Sequence, residues 1–471
     1  MPKKTSDIQT RFETLQGATL RLRNSTAEER VAKLKKLWAG IVDRQDDLYK
    51  AGADERGVQP VDIAGELLMV KAEIDFTVKN LAKWLKPKRV KNTMFTMGKT
   101  CEIRHQSKGV VLNLPAYNAP TAETFVPMIS AMAAGNAIVI KPSEHAPASA
   151  QILEEIIHEA LPADEAYLVQ GGVEVAQELL SMPFNHIYYT GGNTVGKIVM
   201  KAAADHFASV TLEMGGKSPV IVDKSANLEN AATKVAWGRV MNAGQVCVAP
   251  EYVIAHKSVA DEFSKLVADK MESLHNSEKT GLENSKFVPR IINDRHTKRI
   301  KGLLDDAVQK GAKVVFGGGS DAKARYIEPT ILSDMSEDMH IMQEEVFGPV
   351  LSVMTYQDKS EVPDIIAKRA NPLALYIYST DKTNIDYFLM NTSSGSAVVN
   401  NNCIQAGGNP NLPFGGVGAS GMGRAGGFRG FVEMSNERSI VHQPLDRFRD
   451  FMMQLPPYSE KYKGLVMKGI K

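Results

Sequence analysis

Cysteine is scarce in this chain: Cys101, Cys247 and Cys403 are the only three in 471 residues. An odd, widely spaced set excludes a disulfide framework and points to a reducing compartment, hence a cytoplasmic location. No CxxC pair and no His/Cys cluster has the spacing of a zinc site, so no metal is expected. Long apolar runs are missing as well; none approaches the ~18 residues that a transmembrane helix needs. The N-terminal stretch MPKKTSDIQTRFETL has the charge of a signal peptide without its apolar segment. Nor is there an excess of either charge, with 56 Lys plus Arg against 54 Asp plus Glu. That balance leaves no global field to attract nucleic acid or an anionic membrane. The basic run at 86–91 (KPKRVK) reads as a solvated loop. The C-terminal KYKGLVMKGIK reads as a docked or frayed terminus rather than a membrane anchor.

What is present is a globular composition, 43% hydrophobic and 23% charged, on a chain long enough for two to three domains. The first ~85 residues have helical spacing. Thr26 and Glu29 form a candidate capping box ahead of Val31, Leu34, Trp38 and Ile41. Segment 87–108 is polar and tolerant of β structure. From residue 109 short apolar runs alternate with helical stretches: 109–114, 137–140, 166–170, 186–190 and 209–213. Gly135 is placed to end the first of the intervening helices. Strands that are apolar throughout, separated by helices, predict a parallel α/β sheet with ligand loops at the carboxyl ends of its strands. A further strand at 219–222 opens a second α/β region reaching about residue 434.

Several chemistry-bearing residues sit at those strand ends. After 186–190 comes a glycine-rich turn with Gly191, Gly192 and Gly196, suited to close approach of a phosphate at a helix start. It nearly fits a P-loop, but Ile198 stands where that motif needs a hydroxyl for magnesium, which disfavours a nucleotide triphosphatase. Lys141 and Glu144 follow 137–140, where they can reach ribose hydroxyls or simply face solvent. Glu213 ends its strand at a site where desolvation would raise its pKa and suit it to general-base work. A structural carboxylate bonded to nearby backbone is the competing reading. Cys247 lies in a loop marked by Gly244 and Pro250, where substrate can reach a thiol; a thiol in the core is inert. Asn118 follows 109–114 and can donate its side-chain amide to an oxyanion, or can merely start the turn before Pro120.

The order of these signals resembles the aldehyde dehydrogenase superfamily, and within it the class-three and bacterial aromatic or fatty aldehyde branch. The matching stretches are AAGNAIVIKPSE, YYTGGNTVGKIVM, VTLEMGGKSP, NAGQVCVAP, QEEVFGPVL, NPLALYIYS and LPFGGVGASGMG. They run from about 109 to 423, with LPPYSEKYK in the tail also class-three-like. Glu213 stands 34 positions before Cys247, as the family's motifs require. The resemblance implies Cys247 as nucleophile, Asn118 with the Cys247 N–H as oxyanion hole, and Glu213 as the base that hydrolyses a thioester. It implies NAD as cofactor, with NADP use left open. Lys141 and Glu144 would then lie on the adenine-side ribose, Gly191, Gly192 and Gly196 near the pyrophosphate, and Glu345 and Phe347 at the nicotinamide end.

The resemblance further implies a Rossmann-like cofactor domain (1–88 and 109–214), an α/β catalytic domain (215–434), a small β oligomerisation flap (89–108 and 435–445) and a tail (446–471). A homodimer is expected. The family usually carries Trp before the oxyanion asparagine, where Tyr117 stands here. Relatives of this branch often carry an aromatic after it, where Ala119 is read as widening the aldehyde channel. With Val246, Val248 and Phe414 these residues are expected to line a pocket for a bulky aromatic or medium-to-long aliphatic aldehyde. CoA-acylating enzymes of the same fold generally lack the glutamate, so Glu213 argues against that alternative. The set Asn118, Glu213 and Cys247 argues against a non-catalytic binding protein.

Overall fold

The computed structural model describes residues 7–445 and 456–470. Of the expected tail, 446–455 and 471 lie outside the described residues, as do 1–6 at the other end.

Four helices open the chain: Asp7–Arg23, Ala27–Asp43, Gln45–Arg56 and Pro60–Trp84. The capping box forms, with Glu29 N donating to Thr26 Oγ1 at 3.2 Å and Thr26 N donating to Glu29 Oε2 at 2.6 Å. Each satisfies a backbone donor that a helix start leaves free. The last three pack on one face of a six-stranded sheet, where Leu34, Leu37, Val70, Ile74, Phe125 and Ile138 share a buried cluster. The first packs on the other face, with Phe12 and Leu15 against Leu112 and Val139.

That sheet runs in the order Gly421–Met422, Ser209–Met214, His186–Gly191, Val110–Leu114, Ala137–Ile140, Ala166–Leu168. All pairs are parallel except the short edge strand at 421–422. Ala137–Ile140 is apolar throughout because both faces of the sheet are covered. The chain builds outward from Val110–Leu114 in one direction, then returns to its other side with His186–Gly191. The crevice at the carboxyl ends of these two strands is therefore a topological switch point, the place where open α/β sheets bind ligands. Asn118 and Gly191 flank it. Helix Pro120–Ala134 ends at Gly135, whose φ of 84° explains why glycine stands there.

After Met214 the chain crosses to a seven-stranded sheet, entering at the amino end of Pro219–Val222. Its order is Lys313–Phe316, Thr330–Ser333, Val350–Tyr356, Tyr252–His256, Pro219–Val222, Ala374–Tyr378, Ser396–Val399, parallel except for the first pair. The carboxyl ends of the first sheet thus meet the amino ends of the second. The loops carrying Cys247 and Phe347 both precede strands of the second sheet on this side.

A third, antiparallel sheet joins Lys88–Arg89, Thr100–Ser107 and Ser435–His442. The basic run at 86–91 includes the short exposed edge strand of this sheet. Among the described residues no helix is long and apolar enough to cross a membrane.

Candidate active site

Cys247 follows a backbone segment that few sequences tolerate. Helix Leu228–Val240 runs into a tight turn in which Asn242 and Ala243 have φ of 50° and 53°, followed by Gly244 at 71°. Three consecutive left-handed residues are strained for any side chain bearing a β carbon. Surrounding hydrogen bonds hold them. Gln245 Nε2 donates to Asn242 O and to Arg290 O, each at 3.0 Å, while Ile292 N donates to Gln245 Oε1 at 2.9 Å. Buried Arg239 donates to Gly244 O at 2.8 Å and to Pro250 O at 2.7 Å, closing the loop from both sides of the thiol.

The same turn reaches the oxyanion candidate. Asn242 Nδ2 donates to the main-chain oxygen of Asn118 at 2.8 Å. Arg56, from the end of the third N-terminal helix, donates to that oxygen as well and pairs with Glu66 at 3.2 Å. Glu66 in turn accepts from Thr121 N and Ala122 N at 3.1 and 3.4 Å, at the start of helix Pro120–Ala134. Asn118 is thus fixed through its backbone, and its carboxamide lines the same cavity as Cys247.

Two cavities meet at the thiol. Cys247, Glu213 and Thr190 line both. One, of about 740 Å³, is walled by Tyr117, Asn118, Gly191, Gly192, Glu345 and Phe347, with His296 and Arg299 completing it. It continues into a groove of about 2200 Å³ that runs past the start of helix Asn193–Asp205 and the side chains of Arg295, Arg299, Lys368 and Arg369. The other, of about 800 Å³, is walled largely by Met69, Val126, Pro127, Leu412, Phe414 and Ala425.

Glu213 is buried, and neither carboxylate oxygen has a hydrogen-bond partner. Its Oε1 lies beside Gly415, where a β carbon would come within 3.1 Å of it. Burial, reinforced by Glu123, pushes its pKa well above the usual carboxylate range against the pull of Arg424. Burial also pushes the Cys247 thiol up, helped by Glu123, Glu345 and Glu213.

Glu345 and Phe347 are held by a buried ion network. Glu251 pairs with Lys217 at 2.9 Å and with Arg239 at 3.3 Å. It accepts from Val346 N at 3.2 Å and Phe347 N at 3.4 Å. Against the desolvation that would raise it, the two cations hold Glu251 below the usual carboxylate range. Phe347 takes a left-handed φ of 47° and packs edge-on to Tyr117 at 6.0 Å. Arg299 donates to Glu345 O at 3.1 Å. Burial, then Glu251, pushes Glu345 up to about 8. Burial, then Arg299 and Arg295, pushes His296 down to about 4, so it is a neutral ring at physiological pH.

Most of the expected site residues converge here, and some do not. Tyr117 lies on the Phe347 side of the thiol and not on the apolar side where the aldehyde channel was expected. Ala119 opens helix Pro120–Ala134 and lines neither cavity. Val248 is 1% exposed within the core of the second sheet, and Val246 packs against that core. Neither faces a cavity, because the loop turns both flanks of Cys247 inward. Phe414 does line the apolar cavity. Gly196 is a packing residue: a β carbon would meet Met214 Sδ at 2.5 Å. A β carbon on Gly191 would collide with the Tyr189 hydroxyl. Lys141 and Glu144 pair with each other at 3.0 Å at the end of Ala137–Ile140, outside the walls of the three cavities described. Desolvation notwithstanding, backbone and Lys141 hydrogen bonds hold Glu144 below the usual range. Sequence reasoning missed Arg56, Glu123, Lys217, Arg239, Glu251, His296 and Arg299. None sits in a pattern distinct from an ordinary surface charge.

A family model described as the aldehyde dehydrogenase family matches residues 3–440. The chain belongs to the aldehyde dehydrogenase family. Aldehyde dehydrogenase family 3 member A2 of Pongo abelii is 38% identical over 92% of this chain and 87% of its own length. The dimeric, NADP-preferring aldehyde dehydrogenase of Canis lupus familiaris is 38% identical over 83% and 84%. The substrate-bound AldH of Staphylococcus aureus superposes with a TM-score of 0.92 at 35% identity, covering 99% of this chain and all of that one. These relatives place the chain in the class-three and bacterial branch. As a member of this family it is a non-acylating, NAD(P)-dependent oxidoreductase acting on aldehydes.

The groove suits such a dinucleotide. Helix Asn193–Asp205 presents free N–H groups and a positive dipole end beside Arg295 and Arg299, a fit for a dianionic pyrophosphate. Tyr117 and Phe347 wall the inner end where a flat ring would rest.

Proposed function

We propose that aldehyde and dinucleotide reach Cys247 from opposite sides, the aldehyde through the apolar cavity and the dinucleotide through the groove. The observation that carries this reading is the meeting of the two cavities at Cys247 and Glu213. Cys247 Sγ attacks the carbonyl carbon to give a thiohemiacetal. The Asn118 amide and the Cys247 N–H receive the oxyanion. When bound, the nicotinamide supplies the hydride acceptor. Glu213, facing both cavities and free of other partners, takes a proton from the water that opens the thioester. The carboxylic acid then leaves through the apolar side.

Glu345 and Phe347 position the ribose and ring of the nicotinamide half. Lys141 and Glu144 take the adenine-side ribose. The Glu144 side chain is 39% exposed, so it can accept a free 2′-hydroxyl or turn away from a 2′-phosphate. Both NAD and NADP are therefore substrates, as the NADP-preferring canine relative supports.

The wall of Val126, Pro127, Leu412, Phe414 and Ala425 favours a bulky aromatic or medium-to-long aliphatic aldehyde. The size argument thus rests on these residues and not on Ala119. A panel from acetaldehyde to decanal and benzaldehyde, run with each cofactor and ranked by kcat/KM, tests this. Equal values for acetaldehyde and decanal would remove the substrate assignment.

The domain reading follows the sheets: 1–88 and 109–214 as cofactor domain, 215–434 as catalytic domain, 89–108 with 435–445 as flap. Among the described residues, strand Ser435–His442 leaves one edge of the flap sheet without a partner strand, an invitation to a second copy and a homodimer. Three cysteines without a disulfide fit a cytoplasmic setting.

A further inference from the structure

The wall of the apolar cavity holds a residue that the dehydrogenase chemistry does not use. Among the described residues every charged side chain lining it is a carboxylate, Glu73, Glu123 and Glu213, and no lysine, arginine or histidine faces it. Glu213 is assigned to hydrolysis. Glu73 is already satisfied, accepting the Gly427 N–H on both oxygens at 2.8 and 2.9 Å. Glu123 has neither role; its polar neighbour is the Thr190 hydroxyl on the same wall. It stands in the first turn of helix Pro120–Ala134, yet that helix start is already capped by Glu66 through Thr121 N and Ala122 N.

On packing grounds an apolar side chain at 123 would continue the surface of Val126 and Pro127. Placing an acid among them carries a desolvation penalty. Burial pushes Glu123 up to about 7, the expected response of a carboxylate removed from water. A second acceptor lies on the same wall. Gln405 donates its Nε2 to Tyr376 Oη at 2.9 Å, which fixes the amide, and leaves its buried Oε1 without a donor. Among the described residues the cavity therefore offers acceptors and no charged donor.

We propose that Glu123 is a specificity-determining residue that selects aldehydes bearing a hydroxyl on the otherwise apolar tail and rejects those bearing a carboxylate. A substrate hydroxyl donates to Glu123, adding a hydrogen bond to the one Thr190 offers. An alkyl group of the same size leaves the remaining acceptor capacity of the carboxyl desolvated. A substrate carboxylate meets a part-ionised Glu123 and finds no cation to pair with among the described residues. This inference rests on the dehydrogenase reading and on aldehyde entry from the apolar side.

The test compares benzaldehydes carrying a hydroxymethyl, an ethyl or a carboxylate group at the meta or para position. Hydroxymethyl and ethyl match in size and differ in the donor. The purified enzyme should favour the better hydroxymethyl isomer over its ethyl counterpart by about 10-fold or more in kcat/KM, with the carboxylate poorest. Glu123→Leu should bring the hydroxymethyl-to-ethyl ratio to about one or invert it. Glu123→Gln keeps an acceptor, so it should retain the hydroxymethyl preference and relieve the rejection of the carboxylate. A native ratio near one, ratios unchanged in both variants, or a uniform loss on all three substrates in Glu123→Leu would overturn the proposal. Absence of NADH formation from every aldehyde would instead overturn the dehydrogenase reading. If Glu123→Leu does not fold, the native ratios and Glu123→Gln still decide.

Discussion

The two cavities that meet at Cys247 differ in their charged linings. The groove side carries Lys217, Arg295, Arg299, Lys368 and Arg369 against Glu337, Glu344 and Glu345, together with a helix start. The apolar side carries carboxyl groups and, among the described residues, no cation. The sorting is economical: a dianionic pyrophosphate is drawn to one entrance and repelled from the other. A neutral aldehyde needs no attraction and gains from apolar burial. The thiol and Glu213 sit at the boundary, where both reactants can reach them.

Each side can be broken separately, and the largest effect is at the junction. Cys247→Ser should abolish oxidation of all aldehydes, by on the order of 10⁴-fold or more in kcat, with dinucleotide binding by fluorescence titration retained. Glu213→Gln should lower steady-state turnover by roughly 10²–10⁴-fold while leaving a rapid burst of NADH, read by stopped flow. Loss of the burst along with turnover would place Glu213 before hydride transfer. In the native enzyme both groups act deprotonated and both pKa values are pushed up. Activity should therefore rise with pH into the alkaline range, and a profile falling above neutrality would contradict this assignment.

A paired test separates the sides themselves. Phe414→Ala should raise KM for decanal roughly 10-fold and leave KM for NAD within error. Glu144→Gln should do the reverse, shifting the NADP-to-NAD ratio of kcat/KM by about 10-fold toward NADP. If either change moves both constants together, the two entrances are not independent.

The smallest effect concerns stability. Burial raises Glu73 from its ordinary 4.5 to about 7, the Gly427 N–H partly offsetting it. A carboxyl raised on folding binds its proton more tightly in the native state. Its contribution is complete below pH 4.5 and is lost as pH rises through 7. Glu73→Gln removes that dependence. The native Tm should fall by a few degrees relative to the variant between those pH values, corresponding to about 3 kcal/mol at most.

The parallel sheets were legible because short runs such as 137–140 and 219–222 are apolar at every position, a pattern that only strands buried on both faces produce. Both runs occupy the strands Ala137–Ile140 and Pro219–Val222. Cys247, Glu213 and Asn118 were legible because each follows or ends an element and carries an uncommon side chain for that place. The aldehyde wall was not. Val248 neighbours the thiol in sequence yet points to the core, because adjacent side chains face different ways and Cys247 takes the cavity side. Met69 and Ala425 line the wall from segments far apart in the chain, which no local pattern reports.

The grip on the Asn118 carbonyl has a consequence for how the enzyme matures. Its two donors come from Arg56, near the start of the chain, and Asn242, more than a hundred residues beyond it. A nascent or partly unfolded chain lacking either segment has no fixed oxyanion site. Catalytic competence should therefore lag behind helix formation during refolding. The reactive thiol would not turn over aldehydes until the segments holding Asn118 have closed around it.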